Sequence, residues 1–376
     1  MVEWKKMWEL TAWDKKFQGV DKSMQSKIFP YTYLLAKDLF ALAVPNGNVK
    51  LLSTGVQEGW TTEELAGEYI SEGEVVTIPW GKSPGAQNPV KYYKGKFVTG
   101  DNRIATSLDT NVLNNKFLYY WMYSKSEVIE SFYRGAGIQH PSMFKVLTMP
   151  VPLLSLSEQQ RIVDFLDTFT SAIDNLKEQI AQRRKQYEYY RDQLLDLEGK
   201  PGVEMKTLGE VCEVYTGGEV PNNTIKGQLS ATEEYPYAVY ANGKDTYGYS
   251  NTYQIAEDAV CISSIGANTG AVFYKKGKFT PAIRLKVLIP KDGVITKYLF
   301  YASSKIDFRG KNTGSVPNIN ANYVKNKHIP LPPLQEQQHI VSILDTFEAS
   351  IANLEAQLKE REKQYEYYRN KLLTFE

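Results

Sequence analysis

The stretch KQYEYYR at residues 185–191 is repeated without change at residues 363–369. The repeat extends in both directions, and roughly 24 of 41 positions are identical without a gap between residues 158–198 and 336–376. Chance does not produce such identity over this length, so one long segment has been duplicated. The positions of its two copies decide how the rest of the chain is organised.

Shorter matches show that the residues around the long repeat are duplicated as well. KGKF at residues 94–97 recurs at residues 276–279, and MPVP at residues 149–152 is matched by IPLP at residues 329–332. A whole domain is therefore repeated once, whereas a solenoid repeats a short unit many times. We divide the chain into a first module at residues 1–148, a first long helix with its connector at 149–202, a second module at 203–328 and a second long helix at 329–376.

Each copy of the repeated segment predicts one long helix. Prolines precede it, and Ser157 with Gln160 forms a capping box in the first copy. About 40 residues of helix extend for roughly 60 Å. Apolar and aromatic side chains recur at alternating steps of four and three, and Arg183 and Arg361 share one position of this heptad seam. The seam residues are Phe169, Ile173, Leu176, Ile180, Tyr187, Tyr190, Leu194 and Leu197 in the first copy, and Phe347, Ile351, Leu354, Leu358, Tyr365, Tyr368, Leu372 and Phe375 in the second.

The seam predicts that the two helices pair antiparallel, because the chain leaves the first module along one helix and returns from the second module along the other. The alternative is that each helix packs on its own module. The modules contain short β-rich runs such as residues 75–78 and 260–262, and helical patches at residues 117–128 and 297–304. The predicted fold class is α+β, with two tandem mixed α/β modules separated by and followed by long helices that form an antiparallel coiled coil.

Composition limits the classes of partner and compartment. The 44 Lys and Arg residues nearly balance the 43 Asp and Glu residues, which argues against nucleic acid as a partner. Acidic residues concentrate in the helical segments, however, and the modules together carry about +6, which permits DNA binding. Cys212 and Cys261 lack metal-type spacing and suit a reducing cytoplasm. No apolar stretch is long enough for a membrane helix, and the first residues lack the apolar core of a signal peptide.

No catalytic constellation is recognisable in the sequence. Gly81-Lys82-Ser83 looks like part of a phosphate-binding loop, but Val76 stands where that loop has its first glycine. The histidines His140, His328 and His339 are scattered and predict no metal site. No glycine fingerprint for a dinucleotide or methyl donor follows a strand. We therefore expect a chain that binds and does not catalyse, without metal or cofactor.

Several motifs match a family of known proteins. They are PLPPL at residues 330–334 followed by EQQ at 336–338, the loop GSVPNI at 314–319, and YANG at 240–243 with IGAN at 265–268. Together with the duplicated helices, these motifs make the whole chain resemble the specificity subunit of type I restriction-modification enzymes. The first module departs from the pattern, since GIQHPS at residues 137–142 replaces the Pro-Asn-Ile loop.

The resemblance implies a function. Each module would be a target-recognition domain that reads one half of a split, asymmetric target in double-stranded DNA, and the helical rod would set the spacing between the halves. The helices would dock two methyltransferase subunits, which carry the methyl-transfer chemistry, and a restriction subunit with motor and nuclease activity is a further partner. This chain would contribute specificity alone, in the cytoplasm of a bacterium or archaeon, with no membrane partner.

Charged, amide and aromatic residues in the loops are the candidates for DNA contact. The alternatives are solvated charge for a cation, sheet packing for a tyrosine and turn formation for an asparagine. Duplicated residues of the helices are candidates for docking, with solvent exposure as the alternative. The DNA candidates are Lys82, Ser83, Tyr92, Tyr93, Lys94, Lys96, Arg103, Gln139, Tyr240, Asn242, Lys244, Asn268, Lys275, Arg284, Ser315 and Asn318, and the docking candidates are Glu158, Gln159, Tyr189, Glu336, Gln337 and Tyr367.

Two other classes of function stay open from the sequence. Near-neutral charge also fits a bivalent adaptor that binds protein or glycan through its two modules, and salt-sensitive binding to duplex DNA would argue against it. The second alternative is an enzyme of unrecognised type with twin active sites. Methylation or nuclease activity of the chain alone would support that alternative.

Overall fold

The computed structural model describes residues 2–82, 90–309 and 319–375. The chain forms two compact units, one built from Met1–Lys177 with Gln357–Glu376 and the other from Glu178–Ala356. Each unit therefore combines one module with the first half of one long helix and the second half of the other. The predicted class, mixed α/β modules with paired long helices, is confirmed.

The first module contains a six-stranded sheet. The strands of the whole module, six of which form this sheet, are β1 (Glu3–Lys6), β2 (Thr11–Trp13), β3 (Val49–Leu52), β4 (Gly59–Thr61), β5 (Ser71–Pro79), β6 (Lys91–Thr99), β7 (Asn102–Ser107), β8 (Tyr133–Arg134), β9 (His140–Pro141) and β10 (Pro150–Leu153). Its helices are α1 (Met7–Leu10), α2 (Ala36–Ala41), α3 (Glu63–Ala66), α4 (Asn115–Ser124), α5 (Ser126–Glu130) and α6 (Met143–Leu147). The sheet order is β2-β7-β5-β6-β3-β4, antiparallel except where β3 runs parallel to β6.

Helix α4 covers one face of this sheet and carries much of the core. Asn114 begins the helix by accepting hydrogen bonds from the backbone amides of Lys116 and Phe117. Phe117 and Trp121 are then buried in the same apolar cluster as strand residues of β5 and residues of the first long helix. Strand β1 pairs antiparallel with β10, so the two ends of the module meet where that long helix begins.

The second module has two four-stranded sheets. Its strands are β11 (Glu204–Thr207), β12 (Cys212–Thr216), β13 (Ile225–Lys226), β14 (Tyr237–Tyr240), β15 (Gly248–Ser250), β16 (Ala259–Ile262), β17 (Val272–Lys275), β18 (Phe279–Pro281), β19 (Lys286–Pro290) and β20 (His328–Leu331), and its helices are α8 (Leu208–Val211), α9 (Thr296–Ser304) and α10 (Ala321–Lys325). The sheet orders are β12-β19-β16-β17 and β13-β15-β14-β18. Strands β11 and β20 pair as β1 and β10 do, which shows that the duplication includes both module ends.

The long helices are α7 (Leu156–Leu194) and α11 (Leu334–Leu372), each of 39 residues, and we call them αL1 and αL2. The capping residue predicted for αL1 is wrong by two positions. The helix begins at Leu156, so Ser155 is the cap, and its hydroxyl accepts a 3.3 Å hydrogen bond from the Glu158 amide. αL2 begins directly after Pro332-Pro333, which prevent the helix from extending backwards.

The helices pair antiparallel in both units. In the first unit, Tyr368 near the end of αL2 lies 5.3 Å from Phe165 and 5.5 Å from Phe169 near the start of αL1, measured between ring centroids. In the second unit, Tyr190 stacks on Phe347 at 5.4 Å in the reciprocal arrangement. Tyr190 remains 46% exposed and Tyr368 36% exposed, so these two rings lie at the edge of the seam and not in its core as predicted.

The seam arginines lie against aromatic rings. The Arg183 guanidinium is 5.8 Å from the centroid of Phe347, and the duplicated Arg361 is 5.6 Å from Phe169. Arg183 is half-buried and Arg361 is exposed, so both charges stay in contact with solvent while each guanidinium makes a cation–π contact across the helix pair.

Candidate functional site

Two predicted DNA-contacting cations of the first module are buried. Arg103 is 4% exposed, with its guanidinium 3.0 Å from the Asp101 carboxylate and 4.0 Å from the ring centroid of Trp80. Lys82 is 7% exposed and forms an ion pair with Glu130. Separating a buried charge from its internal partner is costly, so neither cation is available for a phosphate or a base in this structure. Their assignment as DNA contacts is corrected accordingly.

Lys94 and Lys96 remain at the surface of β6. Lys94 lies 3.3 Å from Glu74, and Lys96 lies 2.9 Å from Glu63. Ion pairs in solvent contribute little to stability, so either ammonium group can exchange its carboxylate for a phosphate at small cost. These two lysines are the accessible cations among the candidates of the first module.

The tyrosines of β6 are half-buried and pack within the sheet. The Tyr92 hydroxyl donates a 2.7 Å hydrogen bond to Glu74, and desolvation with this bond raises its pKa. Tyr93 contacts Trp60 and Phe97 by ring edges. Gln139 is half-buried and exchanges two backbone hydrogen bonds with Lys82. The candidate Ser83 lies outside the described residues.

In the second module, six predicted residues come together around one asparagine. Asn242 accepts a 2.7 Å hydrogen bond from the Ser264 amide through its side-chain oxygen and donates from its side-chain nitrogen to the Ile283 carbonyl. The Asn268 side chain donates to the Asn242 carbonyl at 3.2 Å. Asn242 is half-buried, and its amide is hydrogen bonded at both ends, so the side chain organises the surrounding loops, and its role as a DNA contact stays a prediction. We call the following set the Asn242 cluster: Tyr240, Asn242, Lys244, Asn268, Lys275 and Arg284.

Lys275 is the buried cation of this cluster. Its ammonium nitrogen lies 3.9 Å from the ring centroid of Tyr240 and donates a 2.6 Å hydrogen bond to the Lys244 carbonyl. Burial lowers its pKa. With 6% exposure, Lys275 holds the cluster together and does not offer its charge to a phosphate, contrary to the prediction.

Lys244, Asn268 and Arg284 form the exposed part of the cluster. The ion pairs found between described residues include none for Lys244 or Arg284. Their charges therefore face solvent without a carboxylate within ion-pair distance in that part of the chain. The candidates Ser315 and Asn318 lie outside the described residues.

The predicted docking residues separate into buried and exposed groups. Gln159 is fully buried and donates 2.9 Å hydrogen bonds to the carbonyls of Val112 and Leu154. Gln337 is 1% exposed and makes the equivalent bonds to the carbonyls of Gly293 and Pro332. Neither glutamine can contact a partner, so their assignment to docking is corrected: each fastens a long helix to its module.

The other docking candidates are accessible. Tyr189 is 61% exposed and its duplicate Tyr367 is 60% exposed, and each ring packs edge-on against the tyrosine that follows it. Glu336 is exposed, and Glu158 forms a 2.6 Å ion pair with Arg161.

A duplicated contact between module and helix was missed in the sequence. Helix α4 carries Lys116 and Tyr120, and both contact Asp167 of αL1, at 2.7 Å and 2.6 Å. The equivalent residues of the second unit are Lys297 and Tyr301, which lie 3.0 Å and 2.5 Å from Asp345 of αL2. The signal was present as KFLYY at residues 116–120 and KYLFY at 297–301, together with LDTF in both helices.

The described residues include no group of three or more His, Cys, Asp or Glu that could hold a metal ion. Cys212 and Cys261 are buried, and burial raises the pKa of each thiol to about 12. Among the described helices, none combines the length and apolar character needed to cross a membrane.

Comparison with known proteins agrees with this architecture. The family model for the type I restriction modification DNA specificity domain matches residues 37–183 and 201–363. The specificity subunit of a type I restriction enzyme from Escherichia coli is 34% identical over 305 residues, which cover 73% of this chain and 74% of that protein. The chain belongs to the family of type I restriction-modification specificity subunits.

Solved structures share the fold. The S subunit of a type I restriction-modification system from M. genitalium superposes with a TM-score of 0.71 at 19% identity, covering 100% of this chain and 97% of that one. A second structure, solved in a study of complex assembly and conformational transition of the type I restriction-modification system, gives a TM-score of 0.52 at 18% identity, with 89% and 95% covered.

Proposed function

We propose that this specificity subunit reads a bipartite, asymmetric target in double-stranded DNA, one half with each module. The observation that carries the proposal is the duplication of whole units. Each unit holds its module on a long helix through the same Lys–Tyr–Asp contact and the same buried glutamine. Two units with the same attachment of module to helix, but with different loops, suit the recognition of two different DNA sequences. We retain residues 1–148 and 203–328 as the proposed recognition domains.

The exposed part of the Asn242 cluster supports DNA as the ligand of the second module. Lys244 and Arg284 supply positive charge that no described carboxylate neutralises at ion-pair distance, and Asn268 adds an exposed amide. Arginine and asparagine are the side chains that commonly read guanine and adenine edges in the major groove. In the first module, Lys94 and Lys96 are the proposed phosphate contacts.

The long helices are the proposed docking surface for two methyltransferase subunits. Tyr189 and Tyr367 are exposed, aromatic and duplicated, which suits one equivalent anchor for each of two identical partners. The methyl-transfer chemistry would reside in those partners, and this chain would be non-catalytic. A restriction subunit that carries the motor and nuclease is a further proposed member, and it is supported by the Escherichia coli relative, which is named as a subunit of a type I restriction enzyme.

Exchange of one module tests the proposal. The chain is co-expressed with the methyltransferase subunit of its own system, and methylated sites in host DNA are mapped for the wild type and for a variant in which residues 203–328 come from a relative. We expect one half of the methylated sequence to change and the other half to remain. A change in both halves, or methylation without sequence preference by the wild type, would contradict the proposal.

A further inference from the structure

The backbone between β18 and β19 has an unusual conformation. Ile283 and Arg284 have φ values of +52° and +61°, and they are the two described residues other than glycine with positive φ. They occupy the centre of a tight turn that the Leu285 amide closes with a 3.2 Å hydrogen bond to the Ala282 carbonyl. Glycine and asparagine are usual at such positions, because a branched side chain is strained there.

Neighbouring residues hold this turn in place. The amides of Ile283 and Arg284 donate to the carbonyls of Gly218 and Gly217, at 2.7 Å and 3.1 Å. The Arg284 carbonyl accepts from the Ser264 hydroxyl at 2.6 Å, and the Ile283 carbonyl accepts from the Asn242 side chain. With all four backbone groups bonded, the strained conformation is fixed by its surroundings.

Both side chains of the turn are exposed. Ile283 is 40% exposed although it is apolar, and Arg284 is exposed without a carboxylate partner among the described residues. Asparagine and glycine would satisfy this backbone with less strain. Strained residues that are held rigidly and do not serve packing are typical of functional sites.

We infer that the Ile283–Arg284 turn is a base-reading element of the second module, an inference that rests on the proposed DNA recognition. The guanidinium of Arg284 has the planar donor geometry that matches the two acceptors of a guanine edge. The Ile283 side chain offers an apolar contact of the kind that distinguishes the methyl group of thymine. The rigid backbone presents both groups together, which limits the conformational entropy lost on binding.

The inference is tested in the complete complex with its methyltransferase subunits. The variants are Ile283→Asn, Arg284→Gly and the double substitution, each with residues suited to positive φ. Thermal unfolding of each chain is expected to be unchanged or to shift to higher temperature, because strain is relieved. Affinity for the methylated target of the wild type is expected to fall roughly tenfold for Arg284→Gly, the loss of one bidentate base contact, and by a smaller factor for Ile283→Asn, which loses an apolar contact.

Binding to a library of DNA targets, in which each base pair is varied in turn, identifies the base pairs that the Ile283–Arg284 turn contacts. Arg284→Gly and Ile283→Asn are expected to relax the preference at one or two adjacent positions in one half-site. Arg284→Lys keeps the charge but not the paired donors, and should relax the same position. The control Lys325→Ala removes an exposed charge on α10, and should leave the preference intact.

Two outcomes would overturn the inference. A uniform loss of affinity for every sequence would assign the turn to phosphate contact, and an unchanged affinity and preference in the double variant would assign it no role. If the wild-type complex itself shows no sequence preference, the proposed function fails. If the wild-type complex prefers one DNA sequence and the variant complexes prefer it to the same degree, the inference fails but the proposed function stands.

Discussion

The hydroxyl of Tyr120 donates a 2.6 Å hydrogen bond to the carboxylate of Asp167, and so joins the helix that covers the first sheet to the long helix that follows the module. Tyr120 is 1% exposed, and desolvation together with this bond raises its pKa. The same bond joins Tyr301 to Asp345 at 2.5 Å in the second unit. Because both copies retain it, this contact defines how a module is held on its helix.

Substitution of Tyr120 by phenylalanine is expected to lower the free energy of unfolding by about 1.5–3 kcal/mol, the range for a hydrogen bond to a charged group. The ring continues to fill the core, and Lys116 still pairs with Asp167, so the fold should persist. Denaturant unfolding of the purified chain measures the change. Tyr189→Phe removes an exposed hydroxyl and serves as the control, and an equal loss in both variants would contradict the assigned role.

The buried glutamines give a second test of the same attachment. Gln337→Ala leaves the carbonyls of Gly293 and Pro332 and the amide of Ile295 without their partner. We expect a loss of about 2–4 kcal/mol in unfolding free energy, because buried polar groups are costly to leave unpaired. Gln338→Ala changes the exposed neighbour and should cost less than about 0.5 kcal/mol. Similar values for both would show that Gln337 is not structural.

The carboxyl of Asp258 should make stability depend on pH. It accepts hydrogen bonds from the Tyr274 hydroxyl and from the Gly277 amide at 2.7 Å, and these bonds lower its pKa below the ordinary value of 3.8. Its stabilising contribution is therefore present at neutral pH and is lost as pH falls below about 4 through the folded-state pKa.

Asp258→Asn tests this dependence by denaturant unfolding at several pH values. The variant should be less stable than the wild type at pH 6, and the difference should shrink toward pH 2. Glu257→Gln removes the adjacent exposed charge and is the control. A difference between Asp258→Asn and the wild type that stays constant over this range would refute the assignment.

The sequence predicted the long helices well and individual contacts poorly, for a physical reason. Helix periodicity is a property of neighbouring residues, so the seam containing Ile173 and Ile180 could be recognised directly. The roles of Lys275 and Arg103 depend on burial by strands distant in sequence, which loop composition does not reveal. Duplication predicts a docking role for Gln159, but residues shared by two cores are duplicated just as residues shared by two interfaces are.

Partner assembly should depend on the exposed tyrosines of the helices. Tyr189→Ala or Tyr367→Ala alone is expected to weaken binding at one of the two proposed methyltransferase positions by about tenfold or more, as for a binding hot spot. The double variant should weaken both. Native mass spectrometry of the complex measures how many methyltransferase subunits are retained. Lys359→Ala on αL2 is the control, and full assembly of the double variant would exclude these tyrosines as anchors.

Two ion pairs between the long helices mark the register of the helix pair. Lys177 pairs with Glu362 in the first unit and Arg184 pairs with Glu355 in the second, at 3.8 Å and 2.5 Å. Four residues inserted after Arg183 add about 6 Å to αL1. That insertion alone moves Arg184 away from Glu355 if the other pair is kept, so it should lower stability.

A matching insertion of four residues after Arg361 restores both pairs, because each helix is then lengthened between them. If the helix pair sets the distance between half-sites, the complex of the methyltransferase subunits with the doubly lengthened chain should methylate the same two half-sequences with a spacer longer by one or two base pairs, at roughly 3.4 Å each. Sequencing of methylated sites measures the spacer directly. The variant with the insertion after Arg183 alone is the control, because one helix is lengthened there and the register of the pair is not restored. A double variant that folds, and whose complex methylates with the original spacer, would show that the helices do not determine the distance.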